Sequence, residues 1–566
     1  MAVPCPGRAT ESAASAPSTS GVDREAGEMV AVAPAPAPRV RRKKRRAVEA
    51  VQEVPSAAGG QLRQPGLPME GIRLGVLGLL GFALLGSGFV LVRRLLDKQL
   101  PKVQKAMETK QLQKEAMCRL NVMMDELRNS PSADLSAKNL GDEGAAYIAE
   151  ALAFNDRCQA ADFSKNGIGL KGITALCEAL THNQALGTLA LDTNSAGDEG
   201  AEVLARFMAS NSRIRTLNLS GNNIGDKGAA LLAEMLKINT TLQTLELNSN
   251  VIDYDGISAL AEALAENSSL TTLHISDNYI GALGAAVLAN ALKSNSTLTV
   301  LHIKGNELGN EGVKALCDAF RAREGRIAAL DFGNNSITEE GAAAIAEVVR
   351  RSHLKELNIY MNDIGDGGAL KIASALRGDT SLQTLDIGGN NIGPEGITAV
   401  AEALRGNENL TTLELGYNPI GEAGAKALAS VIKYDLKGLT TLKMGWCKLG
   451  ADEGAKAVAD LLMFNTTLAS VDLRGDGLGD AGAAHLARAL REHTNDALAE
   501  LDLGYNEIKD QGACAIAQAL KANPERAPVE LKVNANYITR FGQVALTEAV
   551  DMVFEMADGR EMVLTL

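Results

Sequence analysis

Glu246, His274, His302 and Asp331 follow one another at intervals of 28, 28 and 29 residues. Two imidazoles between two carboxylates are a set that binds a divalent metal or moves a proton, provided the fold places them side by side. A second group lies further on. Tyr417, Trp446 and Tyr505 each follow a glycine (Gly416, Gly445, Gly504), with Met361 in the same register and Tyr360 just before it. Trp446 is the only tryptophan of 566 residues. Exposed aromatic rings beside carboxylates are the usual make-up of a protein-binding hot spot.

What must position these residues is a repeat. TLNLSGNNIG (216–225), TLELNSNVID (244–253), TLELGYNPIG (412–421) and TLKMGWCKLG (441–450) are versions of one segment. The full unit reads x-L-x-L-x-x-N-x-I-G-D-x-G-A-x-x-L-A-x-A-L-x-x-N-x-x-L and recurs every 27 to 30 residues. Its first asparagine marks a ladder of fifteen positions: Lys138, Asn166, Asn194, Asn222, Asn250, Asn278, Asn306, Asn335, Asn362, Asn390, Asn418, Cys447, Asp476, Asn506 and Asn536. The L-x-L alternation predicts a short strand with its leucines inward. The ladder asparagine bonds backbone groups of the turn that leaves the strand. Cys447 fills the same place as a small buried side chain, with no redox role. Gly-Asp predicts a tight turn and a helix N-cap at Asp142, Asp198, Asp226, Asp366 and Asp480, and Pro394 suits a helix start. Ala229, Leu232, Ala233 and Leu236 make the i, i+3, i+4, i+7 face that packs on the strands.

One unit cannot bury its own face, but stacked units share a continuous core. The fold expected is an α/β solenoid, a horseshoe of about fifteen ribonuclease-inhibitor-type leucine-rich repeats, over residues 131–541 with a cap at 542–566. The residue four before the ladder position faces the inner wall. That row holds Asp162, Ala190, Asn218, Glu246, His274, His302, Asp331, Asn358, Asp386, Glu414, Lys443, Asp472, Asp502 and Lys532 and is largely acidic, which favours encounter with a basic protein surface. Within it His274 and His302 are weak metal candidates, because side chains in a flat row converge poorly on one ion. The reading is a solvated polar row, with no metal and no cofactor. The stronger candidate is a partner-binding ridge of Tyr360, Tyr417, Trp446 and Tyr505 with Asp386, Glu414, Asp472 and Asp502.

NIYMNDIGD (358–366), LELGYNPIG (413–421), LKMGWCKLG (442–450) and LDLGYNEIKDQGACAIAQALKAN (501–523) resemble plant ribonuclease-inhibitor-like proteins, often labelled after the repeat region of NOD-like immune receptors. The resemblance covers about residues 130–566. It implies a plastid-type presequence and a hydrophobic segment ahead of the repeats, hence a chloroplast membrane protein with its repeats on the stromal side, or the cytosolic face of another membrane. The early acids Glu11, Asp23, Glu25 and Glu28 depart from the acid-poor composition of such presequences.

The amino-terminal region fits that layout. Residues 1–71 are Ala-, Ser- and Pro-rich with a basic run at 39–46 and predict a disordered targeting region. The nineteen residues 74–92 carry no charge, enough helix to span roughly 30 Å of hydrocarbon; the expected transmembrane helix is 72–94. Arg93 and Arg94 load its far flank and keep the large domain on the side of synthesis. Residues 95–130 predict a helical stalk, with Leu112, Ala116, Leu120, Met123 and Leu127 on one side.

A net charge of −13 does not suggest nucleic-acid binding. Seven dispersed cysteines without C-x-x-C indicate reduced thiols. N-x-S/T triplets such as Asn239-Thr240-Thr241 and Asn295-Ser296-Thr297 fall at one repeat position, so repeat chemistry accounts for them. No nucleophile elbow, HExxH or dinucleotide fingerprint stands near the histidines. The expected function is a non-enzymatic, membrane-anchored scaffold binding a protein, not a small-molecule substrate, on its concave face. The alternatives are an immune-type receptor, for which no nucleotide-binding switch precedes the repeats, and a GTPase-regulating repeat protein.

Overall fold

The computed structural model describes residue 105 and residues 114–323, 325–379 and 381–566, all within the unit Gln99–Leu566. Three-residue strands, from Ser132–Asp134 to Val563–Thr565, alternate with helices and form one sixteen-stranded parallel sheet whose order follows the chain. Parallel neighbours need a crossover, and each helix supplies it. The register is exact from repeat to repeat: Leu413 pairs with Leu442, and Glu414 with Lys443. Central strand residues such as Leu217, Leu245, Leu273 and Leu301 are fully buried. In the helix Asp226–Ile238 the buried face is Gly228, Ala229, Leu232, Ala233, Met235 and Leu236, the stripe that the periodicity predicts.

The ladder asparagines tie repeats together. Asn250 Oδ1 accepts from Asn222 N (3.0 Å) and Ile224 N (3.0 Å) of the preceding repeat, and its Nδ2 donates to Leu219 O (3.1 Å) and Leu247 O (3.0 Å). One side chain thus satisfies four backbone groups that the packing has removed from water. A second asparagine, after the helix, does the same on the outer side. Asn239 Nδ2 donates to Met208 O (2.7 Å), and its Oδ1 accepts from Leu242 N (2.8 Å). Asn239 and Asn295 are both 3% exposed, so these triplets serve the repeat.

The aspartates do not cap their own helices. The helix at Gly141–Leu152 has Leu140 at its cap position with no side-chain bond. Asp142 Oδ1 instead accepts from Gly169 N (2.7 Å) and Gly172 N (3.0 Å), the start of the next repeat's helix. Asp198, Asp226, Asp366 and Asp480 do the same one repeat on. The expected capping chemistry is present, displaced by one repeat, because the side chain in the first turn points toward the neighbouring helix end. Pro394 stands at the first position of its helix.

Regularity breaks in the Trp446 repeat. Cys447 is fully buried, and its Sγ lies 3.4 Å from Leu415 O. It offers no carbonyl oxygen, and Ile420 N bonds Asn418 O (2.8 Å) instead of the next ladder side chain. The helix that follows opens with a π-turn at Gly450–Gly454. The next ladder residue, Asp476, is 1% exposed; its Oδ1 accepts from Cys447 N (2.6 Å), while its buried Oδ2 has no hydrogen-bond partner among the described residues. Burial pushes its pKa up to about 8.

Each end of the array is closed. Residues 114–129 form a helix that buries Met124 and Leu127 and packs Leu120 and Met123 on the first repeat. Asn155 Nδ2 donates to Leu127 O (2.6 Å). At the far end the helix Arg540–Met556 is followed by Val563–Thr565, which pairs with Glu530–Lys532. The tail therefore adds a sixteenth strand where fifteen repeats were expected. The readings of 1–71 as disordered, 72–94 as transmembrane and most of 95–113 as helical lie outside the described residues. Among the described residues no helix is long and apolar enough to cross a membrane.

Candidate functional site

The residue before each ladder position adopts a left-handed backbone. Ala137, Lys165, Thr193, Ser249, Met361, Tyr417, Trp446 and Tyr505 all have φ between 53° and 62°. This conformation costs a residue with a Cβ about 1–2 kcal/mol, so the turn itself gives no reason for large rings there. It does aim them outward: Tyr417, Trp446 and Tyr505 are 53%, 40% and 44% exposed. The rings form a file. Tyr360 meets Tyr417 edge-on at 6.4 Å between centroids, Tyr417 stacks with Trp446 at 6.3 Å and 9°, and Trp446 tilts against Tyr505 at 5.7 Å. A Cβ on Gly475, whose φ is +67°, would fall against the Trp446 ring, so that glycine leaves the indole room to lie over the turn.

The residue two before the ladder position decides the space beside the file. Tyr360 fills it at one repeat and Arg474 at another; between them come Gly388, Gly416 and Gly445. Three successive repeats without side chains open a hollow of about 270 Å³, lined by those glycines, Tyr360, Tyr417, Trp446, Asp386, Glu414, Asp472, Lys304, Lys443 and Arg474 among others. The ridge supplies one side and the carboxylate row the other. Of the residues expected from sequence, the structure brings Tyr360, Tyr417, Trp446, Asp386, Glu414 and Asp472 around this hollow. Tyr505 continues the file beyond it, and Asp502, 8% exposed, lies beyond Asp472.

The inner wall is less freely acidic than the row of residue types implies. Lys443 Nζ pairs with Glu414 (2.7 Å), and Arg474 pairs with Asp472 (2.6 Å) and reaches Asp502 (3.5 Å). Lys532 pairs with Glu500. Among the described residues Asp386 forms no ion pair; its Oδ1 accepts from Gly388 N (2.9 Å). Burial pushes it up to about 6, with Glu414 and Asp331 adding repulsion. Arg474 and Lys304 were not singled out from sequence, although Arg474 breaks the glycine register of Gly416, Gly445 and Gly504 and was legible there.

Glu246, His274, His302 and Asp331 do stand on adjacent strands. The imidazoles stack at 4.3 Å and 13°, and parallel rings hold their nitrogens side by side without a shared point. His274 lies 4.0 Å from Glu246, and burial, with His302, lowers it to about 4. Among the described residues no three His, Cys, Asp or Glu side chains are grouped to hold a metal ion. Cys118, Cys158, Cys177, Cys317, Cys447 and Cys514 are free thiols.

This geometry and the sequence matches define a leucine-rich repeat protein. Residues 198–284 match the family model described as TMOD/LMOD Leucine-rich domain. Residues 294–317, 352–373, 378–401, 406–429 and 497–517 match the Leucine Rich repeat model. No curated protein matches the chain. Among solved structures it is similar to one from the Rad7 and Elc1 complex in yeast, at 16% identity over 67% of this chain and 94% of that one, with a TM-score of 0.40. An internalin (inlF) from Listeria monocytogenes str. 4b F2365 is 18% identical over 71% and 87%, with a TM-score of 0.35. Leiomodin-1 actin-binding site 2 is 20% identical over 36% and 86%, with a TM-score of 0.19.

Proposed function

We propose that this chain is a non-enzymatic scaffold that binds a protein partner on the concave face between Tyr360 and Tyr505. The observation that carries the reading is the file of four rings, three of them held outward from left-handed positions, beside a glycine-floored hollow. Rings that stand exposed where the turn gains nothing from them are suited to burial by another surface. The ion pairs around them are positioned to set orientation.

The charge-free run 74–92 and the resemblance to plant ribonuclease-inhibitor-like proteins support a membrane-anchored form in the chloroplast, with the repeats on the stromal side. Crosslinking capture from isolated plastids tests both parts, using the tagged full chain beside its Tyr417→Ala, Trp446→Ala, Tyr505→Ala form. A partner captured by the first and lost by the second is the expected result. Identical captures by both baits would remove the ridge from the binding site. Import of the full chain into isolated plastids, followed by alkaline extraction, tests the anchor: release into the soluble fraction refutes it.

A further inference from the structure

We propose that the hollow over Gly388, Gly416 and Gly445 receives an arginine side chain of the partner, its guanidinium lying along Tyr417 and Trp446 and pairing with Asp386. This rests on the concave-face reading above and adds the chemistry of the group bound there.

Three observations meet at this point. First, the carboxylates around the hollow are unequally paired. Glu414 holds Lys443 at 2.7 Å and Asp472 holds Arg474 at 2.6 Å, whereas among the described residues Asp386 forms no ion pair and feels Lys443 only at longer range. It is half-buried, engages only Gly388 N through Oδ1, and stands between Tyr360 and the ion-paired Glu414. A carboxylate in such a place is stabilised by whatever positive group enters. Second, the rings here take a cation already: Lys304 Nζ stands 5.7 Å from the Tyr360 centroid. Third, the floor is bare backbone. Lys304, Tyr360 and Arg474 occupy the register position that Gly388, Gly416 and Gly445 leave empty, so the missing side chains open a slot without changing the fold. A guanidinium fits better than an ammonium, because its plane lies flat on aromatic faces and its forked donors meet a carboxylate.

The single tryptophan supplies the test, since all indole emission comes from this site. The full chain is titrated with hexa-arginine, hexa-lysine and the isosteric, uncharged hexa-citrulline while Trp446 emission is followed. The expected result is a saturable response to hexa-arginine, weaker by about tenfold or more for hexa-citrulline and for the Asp386→Asn variant, the loss of one charge-assisted pair. Asp386→Asn keeps the oxygen that accepts from Gly388 N. A second variant leaves every charge in place: Gly416→Leu fills the floor at a position where sister repeats carry Lys, Tyr or Arg, and it abolishes the response. Equal binding of hexa-lysine or hexa-citrulline overturns the assignment, as does Asp386→Asn binding hexa-arginine as the unaltered chain does. A captured partner lost by the triple-alanine form but kept by Asp386→Asn and Gly416→Leu overturns the arginine site and leaves the scaffold standing.

Discussion

Asp476 sits where twelve sister repeats place asparagine and two others place Lys138 and Cys447, and its replacement by asparagine is the sharpest test of the ladder argument. In the fold the carboxylate uses Oδ1 to accept from Cys447 N, while Oδ2 is buried without a partner among the described residues. In the next repeat Asn506 Nδ2 donates to Leu473 O (2.6 Å) and Gly504 O (3.1 Å). By register, Asp476 Oδ2 faces the corresponding carbonyls, where it needs a proton. Its pKa of about 8 against 3.8 for the free side chain means that the folded chain holds that proton at pH 7 and the unfolded chain has lost it. At about 1.4 kcal/mol per pH unit above 3.8, the loss of stability at pH 7 is about 4 kcal/mol. Because the folded pKa is the higher one, stability falls as pH rises from about 4 to about 8 and is level beyond. Asp476→Asn removes that dependence and restores the donor, so we expect it to stabilise the repeat by about 2–4 kcal/mol at pH 7 and by less than about 1 kcal/mol at pH 4. The assay is urea unfolding read by Trp446 emission. Trp446 N donates to Arg474 O (2.6 Å) two residues before Asp476, so the probe reports this repeat even if distant repeats melt separately. A gain of the same size at pH 5 and pH 8, or a less stable variant, would refute the reasoning.

Two further substitutions test the inter-repeat bonds and the seat of the indole. Asp366→Ala strands Gly393 N and Gly396 N at the start of the next helix and is expected to cost about 1–2 kcal/mol in the same urea titration; Asp366→Asn, which keeps an acceptor as Asn310 does for Thr338 N and Gly341 N, recovers most of it. Gly475→Ala forces a Cβ into a left-handed residue and against the Trp446 ring. It is expected to cost about 1–2 kcal/mol and to shift the Trp446 emission maximum, and an unchanged spectrum would show that the ring does not lie over this turn.

The repeat, its register and the inward and outward faces of the fifteen repeat strands, though not the added strand of the tail, were determined by sequence alone, because in a solenoid each unit meets only its neighbours and local periodicity is also tertiary pattern. The ladder asparagines, the strand leucines and the Ala229, Leu232, Ala233, Leu236 face followed from that register. So did the file of Tyr417, Trp446 and Tyr505, since one repeat position maps to one line on the wall. Tertiary structure decided what depends on distance between repeats. The first-turn aspartates serve the next helix because side-chain reach, not chain order, selects the nearest unsatisfied amides. Glu414 and Asp472 lose their freedom to Lys443 and Arg474, residues on the adjacent strand and two positions along the chain, which a list of residue types cannot weigh. The same packing leaves Asp386 without an ion pair among the described residues, beside three bare glycines. The residues of that hollow were written in the sequence; which of its charges remained unmatched was settled only when the strands came together.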